Sequence, residues 1–91
     1  MGIREDAILQ LRTFTTGRLS SYSFRRWFEA SEGRFVEIGP DDEVMLLLSE
    51  ARAALRRYDG PELREQLAER IERSGLTPLL EIPKRAAVMQ L

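Results

Sequence analysis

The side chains of this sequence whose types and spacing could do chemistry are carboxylates and arginines. Asp41, Asp42 and Glu43 stand in succession, while Asp59 and Glu62 bracket a Gly-Pro pair next to Tyr58. Two carboxylates can share general acid and base work when both converge on one substrate. Consecutive residues do not converge on a helix, where each step turns the side chain by about 100°. A calcium loop would need oxygen ligands at alternate positions around a central glycine, and 41–43 lacks that pattern.

The chain has no histidine and no cysteine. Gone with them are the commonest general base, the commonest metal ligand and the thiolate nucleophile. A zinc centre, a histidine-dependent triad and a disulfide framework are excluded on that ground. The glycines are isolated, and none opens a GxxxxGK or GxGxxG phosphate loop. The expectation is therefore a non-catalytic protein with no cofactor and no metal.

Acids can still meet a basic surface. Tyr58, Asp59 and Glu62, together with Asp41, Asp42 and Glu43, are the candidate partner-binding residues. For 41–43 a structural explanation also suffices, since acids at a helix N-terminus complement its exposed amides and dipole. The arginines offer the competing reading. Arg18, Arg25 and Arg26, with Arg34 beyond them, could contact phosphates and bases if residues 3–31 formed a helix-turn-helix. Charge weighs against this, because a nucleic-acid domain is usually clearly basic. Residues 1–35 carry six arginines against four acids, net +2, and residues 36–91 carry eight basic against eleven acidic residues, net −3. The acidic half favours a basic protein partner.

The elements that must position these residues follow from apolar spacing. Ile3, Ala7, Leu11 and Phe14 predict a helix over 3–15, with Gly17 closing it in a left-handed conformation. Ser20 and Ser21 can cap a second helix, SYSFRRWFEAS, which carries Phe24, Trp27 and Phe28 on its inner face. Residues 33–40 are too short and isolated for a strand, whose backbone would lack a partner, and are expected to form an extended loop anchored by Phe35 and Ile38. Over 40–58, Val44, Leu47, Leu48, Ala51, Leu55 and Tyr58 form one stripe, and Pro40 suits a first helical turn. Leu63, Leu67 and Ile71 predict a fourth helix over 61–74, antiparallel to the third across the short Asp59-Gly60 link. Its outer face, including Arg64 and Arg70, reads as solvated.

The fold expected is all-α: a single-domain bundle of four helices over 1–76, followed by an apolar tail over 77–91, containing Pro78 and Pro83, that packs on the bundle or docks to a partner. At 91 residues, 43% hydrophobic and 32% charged, the chain suits one small core. Arg4, Glu5 and Asp6 precede any apolar run, and no stretch approaches ~18 consecutive apolar residues. A cytoplasmic protein that avoids membranes is expected. Met45, Leu46 and the tail exceed what one core needs and suggest a homodimer as a further alternative.

The succession of a first apolar helix, TGRLSSYSFRRWFE, an acidic linker and LLSEARAALRRYDGPELREQLAERI resembles small bacterial bundles of the colicin D immunity type. The likeness covers residues 7–73. It lies in the Gly17-Arg18-Leu19-Ser20 turn, the aromatic run from Phe24 to Phe28, and the junction at Tyr58, Asp59 and Glu62. The resemblance implies an inhibitor that covers the basic, RNA-binding active site of a toxic ribonuclease with carboxylates. Asp59 and Glu62 are the residues it assigns to that role.

Overall fold

The computed structural model describes residues 2–80. Among these, the chain forms four α-helices and two short 3-10 helices: α1 (Ile3–Thr15), α2 (Ser21–Ser31), a 3-10 helix at Glu32–Glu37, α3 (Glu43–Arg57), α4 (Gly60–Ser74) and a second 3-10 helix at Thr77–Leu80. The all-α bundle expected from apolar spacing is the one observed.

Each helix end has a local cause. Gly17 adopts φ +85° and ends α1. The Gly17 N–H then donates to the Phe14 carbonyl at 3.1 Å and the Arg18 N–H to that of Thr13 at 2.9 Å. Two carbonyls left open by the end of the helix are thereby satisfied. Ser20 caps α2 by accepting from the Ser23 N–H at 3.1 Å.

At α3 the expected start is corrected. Asp42, not a residue near Pro40, is the cap, with its Oδ1 accepting from the Val44 N–H at 2.9 Å. Pro40 lies in the turn before the helix. A capping side chain outcompetes the weaker preference of proline for a first turn, because it satisfies an orphan donor outright.

The segment after α2 is also corrected. It does not run extended but winds into the 3-10 helix at Glu32–Glu37, and the Ile38 N–H closes it on the Phe35 carbonyl at 3.0 Å. Local i to i+3 bonds solve the same backbone problem that rules out an isolated strand. Phe35 does anchor it: the ring is buried, 5.2 Å from Phe28 and 5.8 Å from Trp27 between centroids.

The core gathers one face of every helix. Phe14 of α1 stacks on Phe24 of α2 with centroids 4.3 Å apart. Val44, Leu47, Leu48, Ala51 and Ala54 of α3 are buried, as are Leu63, Leu67 and Ile71 of α4. Leu55 and Tyr58 are only partly covered, and Leu46 stays 59% exposed. α4 packs along α3 and also touches α1 and α2, while Thr77–Leu80 folds onto α1 and α4 and buries Leu80. The first residues of the expected tail thus cover the bundle. A docking or dimerising role for the tail beyond Leu80 lies outside the described residues.

Candidate functional site

The junction between α3 and α4 is where the sequence concentrates Tyr58, Asp59 and Glu62. Tyr58 and Asp59 are both in extended backbone conformation, so the chain leaves one helix and enters the next over two residues. A helix that ends this abruptly leaves carbonyls open at its last turn. Arg25, reaching across from α2, fills them. Its Nη1 donates to the Leu55 carbonyl at 3.0 Å, and its Nη2 to the Tyr58 carbonyl at 3.0 Å and to Asp59 Oδ1 at 2.7 Å. The Ser21 hydroxyl donates to the Gly60 carbonyl from the start of the same helix.

A planar guanidinium suits this task because its several donors are fixed in one fork. The junction is consequently held from α2 at four acceptors. Asp59 keeps 89% of its side chain exposed despite the ion pair. Glu62 is exposed in the first turn of α4. Tyr58 is half-buried, with the Arg57 guanidinium 5.9 Å from its ring centre.

The remaining acidic candidates are elsewhere. α3 has 15 residues, so its two ends are about 22 Å apart, and the structure does not bring Asp41, Asp42 and Glu43 together with Asp59 and Glu62. Asp42 is engaged twice, as the α3 cap and in an ion pair with Arg4 at 2.7 Å. The hydrogen bond from Arg4 foremost, and that from the Val44 N–H next, holds its carboxyl below the ordinary carboxylate range. Asp42 therefore ties α1 to α3. Asp41 and Glu43 flank it and are exposed.

The arginines proposed for nucleic acid are also scattered. Arg25 is turned against the end of α3. Arg26 is exposed, lies 5.7 Å over the Tyr22 ring and donates to the Tyr22 hydroxyl at 3.1 Å. Arg18 follows the end of α1, and Arg34 pairs with Glu37 at 3.4 Å. A helix-turn-helix reading needs Arg25 and Arg26 presented together from α2, and only Arg26 is presented.

Arg64 escaped the sequence reading, which set it on a solvated face. It lies across the end of α1, with Nε donating to the Phe14 carbonyl at 2.8 Å and Nη2 to the Leu19 carbonyl at 2.7 Å. Its guanidinium is also 5.0 Å from the Phe14 ring centre. Arg70, from the same face, pairs with Glu50 of α3 at 3.1 Å. Periodicity separates apolar from polar positions but cannot say which long polar side chain flanking the stripe will reach a neighbouring helix. The available signal was indirect: each abruptly ended helix needs donors for its last carbonyls.

Among the described residues no cluster of acidic side chains could hold a metal ion, and no helix is long and apolar enough to cross a membrane. No family model matches the chain, and no significant match was found among curated proteins or solved structures.

Proposed function

We propose that this chain is a small, non-catalytic, cytoplasmic protein-binding module that receives a basic partner at the α3–α4 junction through Asp59 and Glu62. One observation supports it above others: Asp59 is 89% exposed on a backbone that Arg25 and Ser21 hold in place. A site whose loop is already ordered loses less conformational entropy on binding than a mobile one. Exposed carboxylates on such a loop also steer a cationic partner toward it. An inhibitor of the colicin D immunity type, covering a basic ribonuclease surface, is the form of this function that the sequence resemblance suggests. Tyr58 and Pro61 would supply apolar contact beside the acids.

The test is affinity capture from the source cells with the wild-type chain and with Asp59→Lys and Glu62→Lys. Recovery of a basic nuclease by the wild type alone supports the proposal, provided the variants keep their helical circular dichroism. If both charge reversals retain every captured protein, the junction is not the site. Steeply salt-dependent binding to duplex DNA would instead favour the Arg18 and Arg26 reading. Exposed Leu46 keeps self-association as a second reading, and a monomeric mass across concentration would remove it.

A further inference from the structure

A second site is built between α1 and α4, away from the junction. A groove of about 520 Å³ runs there, with Thr77 and Leu80 in its lining. Its α1 wall includes Leu9, Arg12, Thr13 and Thr16, one helical face at i, i+3, i+4 and i+7, with Thr15 beside them. Arg64 meets the end of α1, so successive turns of α4 pass progressively earlier residues of α1. Ala68 and Ile71 form the opposite wall, and the small Ala68 leaves width between the helices. This size and position are those of ligand sites found between the helices of bundles.

The polar lining narrows the ligand class. Thr13, Thr15 and Thr16 each donate their hydroxyl proton to a carbonyl of α1 itself, at 2.6, 2.8 and 2.7 Å. Their hydrogens are thus committed, and they add methyl groups and acceptor lone pairs to the groove. Strong donors come from Arg12 and Arg18, neither of which forms an ion pair among the described residues. Among the described residues Glu72 is the one acid of the lining. Arg12 and Arg18 place their guanidiniums toward the α1 C-terminal end, while Leu9, Ile71 and Leu80 line the other end, with Glu72 beside Ile71.

We propose that this groove binds a small monocarboxylate amphiphile, its carboxylate on Arg12 and Arg18 and its short hydrocarbon body along Leu9, Ala68 and Ile71. Guanidinium and carboxylate match in charge and in planar, two-point geometry. A second negative charge on the ligand would meet Glu72. A cationic head would meet both arginines.

The test is titration of the full chain with octanoate, below its micelle-forming concentration, followed by amide chemical shifts in NMR. Octylammonium and octanol are the control ligands. Saturable shifts confined to 9–18, 68–72 and 77–80, with octanoate at least about tenfold tighter than either control, are expected, since charged hydrogen bonds contribute on this scale. Arg12→Gln with Arg18→Gln should weaken octanoate about tenfold or more and leave octanol unchanged. Ala68→Phe should fill the groove and abolish binding of both while the dispersion of the remaining spectrum persists. No binding to the full chain, equal binding of octylammonium, or shifts centred elsewhere would overturn the proposal.

Discussion

Replacing Arg64 by Met keeps an unbranched stem and good helix propensity while deleting the guanidinium that joins α4 to the end of α1. Two hydrogen bonds to carbonyls at 2.8 and 2.7 Å are lost, with the contact over Phe14 at 5.0 Å. Bonds to a charged donor contribute about 1.5–3 kcal/mol each, and a guanidinium over an aromatic ring about 0.5–1 kcal/mol. Carbonyls at a helix end can turn partly to water, and Met still packs on the ring, so each contribution falls to the bottom of its range or below it. The expected loss is about 2–4 kcal/mol, or roughly 10–25 °C in Tm for a domain of this size. Against the ~5–14 kcal/mol that holds such a domain together, that is a large share. Urea and thermal unfolding followed by circular dichroism would measure it. Arg64→Lys should recover about half, because a point charge reaches one carbonyl where the fork reaches two. Arg73→Met, on the exposed side of the same helix, is the reference and should change stability by about 0.5 kcal/mol or less. The reasoning fails if Arg64→Met and Arg73→Met cost the same.

Two other outcomes follow from described geometry. Gly17→Ala meets no atom within 4 Å but must hold φ at +85°, so a purely conformational loss of about 1–2 kcal/mol is expected; a neutral result would mean that α1 ends differently in solution. Asp42 has a carboxyl pKa lowered below its unfolded value by Arg4 and the Val44 N–H, so its contribution is complete above the unfolded pKa and is lost as pH falls through the folded one. The stability gap between wild type and Asp42→Asn should therefore narrow on acidification below about pH 5, and a gap constant with pH would refute the assignment.

The legible part of this molecule was what periodicity and end chemistry encode. Val44, Leu47, Leu48 and Ala51 are buried as their spacing requires, and Gly17 closes α1 by the expected left-handed turn. Residues 32–38 were harder, because a short run containing Phe, Val and Ile is compatible with several backbones. What decided among them was burial of Phe35 against Trp27 and Phe28, a tertiary contact. The candidate site was legible in part. The sequence pointed to Tyr58, Asp59 and Glu62 on one hand and to Arg25 on the other as rivals. In the folded chain Arg25 and Asp59 are partners, 34 residues apart. No local pattern announces an arginine that crosses to another helix, and the same blindness hid Arg64.

The cluster around Phe35 and Phe28 makes the molecule its own optical instrument. Trp27 is the single tryptophan. Its indole N–H donates to Asp6 Oδ2 of α1 at 2.8 Å, and its ring lies within 6.2 Å, centre to centre, of Phe24, Phe28 and Phe35. One fluorophore therefore senses α1, α2 and the 3-10 helix together. Near-ultraviolet dichroism and tryptophan emission will read the closure of the aromatic core at one point, while helix content is read separately. A state that retains helices but has lost fixed packing would be visible in this chain without any label.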